Sequence, residues 1–314
     1  MIQRQACLLS VPAEEWLQQS REARVLAVFE RACNLVNEKG QLLALIAPEL
    51  GMGPFALMVE VGNGRFSDCL TRDTPVTIRA AKEQLQVGPL LIQWSGTPLW
   101  QPRPAWKAVR AVTLAPHLPP LRHLLLADAP ADSLAGILAA DRSASNWPAT
   151  PLLLTARPAV QLLQQGLTAG EQSVCATAAQ ALAGLGGGLT PAGDDFLVGV
   201  IYALWACRPS AQAAPLAAAI AGAAAPLTTT LSAGWLAAAG RGEAGIAWHD
   251  LIKALATGRP QALQRAARAV LATGHTSGAD ALAGFLVGLA CLAGGRGTSI
   301  SPPPVPRIYD FEGS

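Results

Sequence analysis

The chain has 314 residues, of which 51% are hydrophobic and only 14% charged, with a formal net charge of +2. That composition supplies a large core and excludes wholesale disorder, and the length admits two ordinary domains or one large one. A net charge so near zero gives no electrostatic reason for a nucleic-acid or membrane-surface partner.

The first part of the chain reads as β-rich. Leu42–Ala47, Ala56–Val61, Val76–Ile78 and Leu90–Trp94 are short apolar or alternating runs. Turn formers separate them, as in Gly51-Met-Gly-Pro54, Val61-Gly-Asn-Gly64 and Gly96-Thr-Pro98. Glu14–Asn34 reads instead as a helix, because Trp16, Val25, Val28 and Phe29 are spaced for one face. Ala80–Gln86 reads as a short helix. A Pro-rich connector follows, interrupted by an expected helix over Asp132–Asp141 that Asp132 or Ser133 would cap.

Beyond Arg157 the strand signals vanish and alanine, leucine and glycine dominate. Helices are predicted over Ala159–Gln165, Ala169–Leu185, Gly193–Cys207, Ala211–Ala225, Thr229–Ala239, Gly245–Ala256, Pro260–Ala272 and Gly278–Ala293. Several are apolar all round, which requires packing on every side. The expectation is an α+β protein: a β-rich domain over residues 1–130, an all-α, Ala/Gly-rich domain over 131–298, and a Pro-rich tail over 299–314.

The longest apolar runs, Phe196–Cys207 and Ala279–Ala293, fall short of the ~20 residues that a membrane span needs. Met1–Ser10 contains Arg4 and no long apolar run, so no signal peptide is expected. The six cysteines form no CxxC or metal-knuckle spacing. Together these point to a reduced, cytoplasmic protein without a membrane partner.

The segment with the most chemistry is Gly186-Gly-Gly-Leu-Thr-Pro-Ala-Gly-Asp-Asp195. Gly186, Gly187, Gly188 and Gly193 open backbone conformations closed to other residues and let a ligand approach the main chain. Thr190-Pro191 fits N-cap and N1 of the next helix, whose first amides then form an anion-binding end. Asp194 and Asp195 fall in its first turn. No Lys or Arg occurs from Pro158 to Cys207, so these aspartates have no local salt-bridge partner. The bland alternative is that the carboxylates only complement the helix dipole, worth ~0.3–1 kcal/mol each.

A partial repeat strengthens the functional reading. Gly193-x-Asp195-x-Leu197-x-Gly199 matches Gly278-x-Asp280-x-Leu282-x-Gly284, and Thr190 and Thr276 precede the two copies. Gly274-His-Thr-Ser-Gly278 is therefore a second helix start of the same kind. If the two starts face each other, they build a site of amides, hydroxyls and three carboxylates, Asp194, Asp195 and Asp280. The alternative is a duplicated helical hairpin packed by its glycines. Thr228, Thr229 and Ser232 add hydroxyls between the copies, as ligands or as caps. His275, beside Thr276 and Ser277, offers an anion contact or a proton, or a structural hydrogen bond. No HExxH, GxSxG, Walker A or dinucleotide pattern is present in its required context.

These three segments in this order resemble a bacterial family, the AllH-type subunit of oxamate carbamoyltransferase, from anaerobic allantoin degradation. The likeness rests on the C-terminal half; the N-terminal half shows a compatible layout. It implies carbamoyl transfer between oxamate and phosphate by way of oxalurate and carbamoyl phosphate, carried out with partner subunits. The Ser-x-Arg-Thr-type helix start of the aspartate and ornithine carbamoyltransferases is missing. In that reading Asp194, Asp195 and Asp280 orient an amide or move protons. Amides at Gly187, Gly188, Thr276 and Gly278 hold an anionic end. No cofactor is required, although Mg²⁺ is compatible. Two alternatives stay open: an Mg²⁺-dependent hydrolase like the ADP-ribosylglycohydrolases, with two or more of the carboxylates on the ion, and a non-catalytic scaffold.

Overall fold

A computed structural model describes residues 1–293 apart from 62, 63, 111, 113 and 140–146. The proline-rich tail and the last two residues of the expected Asp132–Asp141 helix lie outside these residues. The described part is α+β, a curled sheet followed by a helical domain.

Nine strands form the sheet: β1 (Ile2–Ser10), β2 (Ala23–Val28), β3 (Ala32–Asn37), β4 (Leu42–Ile46), β5 (Ala56–Val59), β6 (Val76–Arg79), β7 (Gln84–Val87), β8 (Leu90–Gln93) and β9 (Leu99–Trp100). Their order is β2-β3-β4-β5-β1-β8-β7-β6, with β9 also paired to β1. An isolated bridge between Arg24 and Pro75 brings the two ends toward closure, so the sheet is barrel-like. Leu9, Leu35, Leu43, Leu45, Leu57 and Ile92 fill its interior. The helix α1 (Val11–Gln19) buries Trp16 and Leu17 into that core, and the Trp16 indole donates to Gln41 O at 2.9 Å.

The predicted helix over Glu14–Asn34 is thus replaced by the end of α1 and by β2 and β3. Ser20 ends α1 in extended conformation, and Val25, Cys33 and Leu35 join the barrel core. Helical spacing among four apolar residues lost to cross-strand burial, a tertiary effect. The short helix predicted over Ala80–Gln86 is one 3-10 turn, Ala80–Lys82. It stops at Glu83, whose φ of +51° turns the chain into β7.

Strand β4 is buried along its whole length because it has two partners. Leu43 and Leu45 point into the barrel, while Leu42, Ala44 and Ile46 join a second cluster that includes Leu231 and Trp235 of the helical domain. Phe55 and Trp235 meet edge to face, with centroids 4.8 Å apart. Two backbone hydrogen bonds, Ala244 to Pro102 and Ile246 to Met52, tie the domains further.

Helices begin earlier than the boundary expected at residue 130, with α2 (Trp106–Arg110) and α3 (Leu118–Asp128). Prolines at 116, 119 and 120 disguised them, yet proline is compatible with a helix's first turn. Ser133 caps a 3-10 turn over Leu134–Leu138 where a longer helix was expected. Next come α4 (Pro151–Ala169), which runs through Pro158, α5 (Gln172–Leu182), α6 (Ala192–Cys207), α7 (Ser210–Ala224), α8 (Thr230–Gly240), α9 (Ile246–Thr257), α10 (Pro260–Leu271) and α11 (Ser277–Ala293). By length and composition Ser210–Leu227 would suffice to cross a membrane, but its inner face packs into the helical core.

At the centre α6 and α11 run parallel. Side chains built on their glycines would strike the partner's backbone: a Cβ at Gly199 would lie 1.8 Å from Ala281 O, and one at Gly284 1.9 Å from Phe196 O. Gly199 corresponds to Gly284 in the repeat, and Phe196 to Ala281, so the crossing is pseudo-symmetric. The first glycines of the repeat seat each helix start on the end of the helix before it. A Cβ at Gly193 or Gly278 would lie 2.0 Å from Leu182 O or Val270 O. Replacing Gly284 by alanine is therefore expected to destabilise the protein by several kcal/mol, since two backbones must separate. Gly222→Ala, on an exposed helix with open space around it, is expected to stabilise by ~0.5–1 kcal/mol. Urea unfolding of the two variants checks the contrast.

Candidate functional site

The parallel crossing places the starts of α6 and α11 side by side. The Thr190 and Ser277 hydroxyls, 87 residues apart in sequence, lie 2.9 Å from each other. Thr190 is not the N-cap; that position belongs to Pro191, and helix α6 starts at Ala192. The hydroxyl of Thr190 is engaged across the crossing instead. The structure brings Thr190, Asp194, Asp195, Ser277 and Asp280 together.

Asp194 is fully buried and holds three segments in place. Its Oδ1 accepts the Gly184 amide at 3.0 Å, and its Oδ2 accepts the Thr228 hydroxyl. The Ser232 hydroxyl lies near enough to favour its ionised form, yet Ser232 Oγ is buried without a well-aligned partner. Thr228 lies outside α8, while Thr229 caps that helix by accepting the Ser232 amide at 3.1 Å. The Thr229 hydroxyl in turn donates to Leu189 O at 2.6 Å. The hydroxyls of Thr228 and Ser232 thus converge through cap geometry rather than through one turn of a helix.

Asp280 is also fully buried. Its Oδ1 accepts the Leu134 amide at 2.6 Å, and its Oδ2 makes no hydrogen bond. Asp195 is partly buried, and its Oδ2 is likewise a buried oxygen without a partner. Burial pushes the Asp195 carboxyl up to about 7, opposed by the Ser277 and Thr190 hydroxyls and reinforced by Asp280 and Asp194. Burial also pushes Asp280 up to about 7, opposed by the Leu134 amide and the Thr276 hydroxyl and reinforced by Asp132. Asp194 is raised by burial and held down by Thr228, Gly184 and Ser232. Two acids titrating near neutrality beside each other share a proton readily.

Other residues singled out in the sequence fall into two groups. Gly186, Gly187 and Gly188 form an exposed turn, with φ of +111° at Gly186 and +91° at Gly188. Gly193 and Gly278 are buried packing residues. Their amides are already donated, to Leu185 O and Thr273 O, each at 2.9 Å, so Gly278 cannot hold an anion by its amide. His275 stands at the rim, its Nε2 3.8 Å from Asp132 Oδ2, with both side chains largely exposed. Leu134 and Gly184 were not singled out, and Asp132 only as a possible helix cap beside Ser133; their part in the site depends on long-range packing.

No group of three or more His, Cys, Asp or Glu side chains suited to a metal ion occurs among the described residues. Donors already engage both oxygens of Asp194 and one of Asp280, which leaves two free carboxylate oxygens where Mg²⁺ prefers a fuller oxygen shell. A shallow groove on the sheet, lined by Gln3, Arg4, Gln5, Leu91 and Gln93, contains one cation but no acid or nucleophile.

A barrel-like domain, joined to a helical domain whose acidic helix starts converge, defines a two-domain protein with a carboxylate centre. Residues 5–99 match the model of the AllH family N-terminal domain, and residues 182–289 match the model described as oxamate carbamoyltransferase subunit AllH. The chain belongs to this family, and its role is that of a subunit working with others. No curated protein and no solved structure matches it.

The raised carboxyls have a consequence for stability. A folded-state value near 7 lies above the ~3.9 of an unfolded aspartate. The stability tied to the protonated form is therefore full below about pH 4 and is lost as pH rises toward 7. Asp280→Asn keeps an oxygen for the Leu134 amide and removes the titration. The variant is expected to gain up to a few kcal/mol on wild type between pH 4.5 and pH 8. Urea titrations at the two pH values measure that change.

Proposed function

We propose that this chain supplies the proton-transferring carboxylates of an oxamate carbamoyltransferase, as one subunit of the assembly. The observation that carries this reading is the Asp195–Asp280 pair, each raised to about 7 and each with a buried, unengaged oxygen. The reaction needs such a pair. A phosphate oxygen attacks the ureido carbonyl of oxalurate, and the bond from that carbon to the oxamate nitrogen breaks. The products are carbamoyl phosphate and oxamate. Hydrogen phosphate carries a proton that carbamoyl phosphate lacks, and the departing amide nitrogen needs one. The net event is a proton moved from phosphate to nitrogen, so one carboxylate accepts while its protonated neighbour donates.

Asp195, nearer to solvent, is assigned the proton delivered to the leaving nitrogen. Asp280, ionised and held by the Leu134 amide at Oδ1, takes the proton that phosphate gives up on its free Oδ2, which also accepts an N–H of the carbamoyl group as the substrate docks. Asp194 is a positioning residue: it fixes the Gly184 amide and Thr228 around the site. The amides of Gly187, Gly188 and Thr276, with the positive ends of two helix dipoles, face the anionic ends of the substrates. We place this chemistry in the cytoplasm, which the six free cysteines support.

The test is carbamoyl transfer from carbamoyl phosphate to oxamate, assayed with the other subunits present. Asp195→Asn is expected to lower kcat by ~10²–10⁴ while KM for oxamate changes little. Asp280→Asn is expected to lower kcat and to raise KM for carbamoyl phosphate. Unchanged turnover in Asp195→Asn refutes the assignment.

A further inference from the structure

The charge around the site is one-sided. Asp280 and Asp194 both raise Asp195, and Asp132 raises Asp280. His275, at the rim, is positive only when protonated. Each helix start contributes about half a positive charge. Two of them do not balance three or four carboxylates, still less an anionic substrate added to them.

Among the described residues, no hydrogen-bond donor occupies the free oxygens of Asp195 and Asp280. Asp280 and Ser232 are buried side chains, 0% and 1% exposed, that still have an atom without a hydrogen-bond partner. A guanidinium or ammonium group is the complement of such a set, offering several N–H donors with positive charge.

The rim has the character of a docking surface. Leu227 is 54% exposed and Leu189 45% exposed. Both are held rigidly beside the acids: Leu189 O accepts the Thr229 hydroxyl, and Thr228, next to Leu227, is bound to Asp194. Leading away from Leu227, the outer face of α7 exposes Ala211, Pro215, Ala218 and Gly222, and no charged residue occurs from Ser210 to Leu227. An exposed apolar patch edged by polar and charged groups is how interaction surfaces are commonly built, and here the acids form that edge.

We infer that the site is completed in trans: another subunit of the complex docks on Leu189, Leu227 and the outer face of α7, and seats a basic side chain at the rim, on Asp132 and the exposed edge of Asp195. This rests on the reaction proposed above for its purpose, but not for its geometry. In the complex the added cation offsets the carboxylates and draws in the anionic end of the substrate. It also ties turnover to assembly, since the charged side chains that the described part of the lone chain turns to the site are acidic, apart from His275 at the rim.

The experiment uses the purified full chain and the other purified subunits, with association measured by calorimetry at low and at moderate salt. Leu227→Asp and Asp132→Lys, both surface changes that leave the core untouched, are each expected to weaken association tenfold or more. Wild-type association is expected to weaken with salt. Oxamate is expected to bind the assembly at least tenfold more tightly than it binds the lone chain. Association unaffected by both substitutions overturns the inference, as does equal oxamate affinity with and without partners. If association responds as described while the assembly transfers no carbamoyl group, docking stands and the proposed reaction falls.

Discussion

The contact of backbone on backbone between α6 and α11 is the constraint from which the rest of the site follows. Two parallel helices can approach this closely only where both lack side chains, and Gly199 and Gly284 meet that need on opposite sides of one crossing. Parallel direction is the decisive part. An antiparallel pair would put the start of one helix against the end of the other, and positive dipole ends would not coincide. Here both starts point the same way, and Thr190 reaches Ser277 across them. The barrel-like domain touches the helical domain at Leu231 and Trp235 of α8 and through the hydrogen bond from Ile246 to Met52.

That geometry explains why acids tolerate burial. A carboxylate taken from water into an apolar core would normally be neutralised or excluded. Asp194 and Asp280 survive because amides and hydroxyls from distant segments supply donors, and because helix starts favour negative charge. The compensation is incomplete by design of the packing: one oxygen of Asp195 and one of Asp280 stay unpaired, and both groups rise toward neutrality. A fully satisfied pair would be a structural ion anchor with a low value. A partly satisfied pair titrates near neutrality instead.

Much of this was legible in the sequence because the informative features are local or repeated. The Gly-x-Asp-x-Leu-x-Gly echo marked both helix starts, and the apolar runs at 193–207 and 278–293 marked two helices that must be buried all round. The strands at 42–47 and 90–94 showed themselves by β-rich composition between turns. Other parts depend on contacts that no local pattern encodes. β1 and β2 are bounded by no strong turn signal before them, and their alternation is irregular. Gly193 and Gly278 looked like ligand-approach glycines, but their space is taken by the carbonyls of Leu182 and Val270. A missing side chain reads the same in sequence whether a ligand or a backbone fills the gap. Leu134 reaches Asp280 from 146 residues away, which no spacing argument could find.

The repeat is most informative where its copies differ. A pure duplication would give two equal acids around a pseudo-twofold axis, and equal acids have no reason to divide a reaction between them. The second copy has Ala279 where the first has Asp194, so only the first copy carries a carboxylate committed to holding a loop. The acids on the axis differ too: Asp280 is bound by the Leu134 amide and sealed from solvent, whereas Asp195 has no amide donor and is partly exposed. The buried acid is thereby fixed in orientation, suited to holding an amide. The open one is free to exchange its proton. Loss of symmetry at these positions gives the two acids distinct surroundings, which the proposed acid–base roles require. It also leaves the open carboxylate facing the rim at which a partner's cation would arrive.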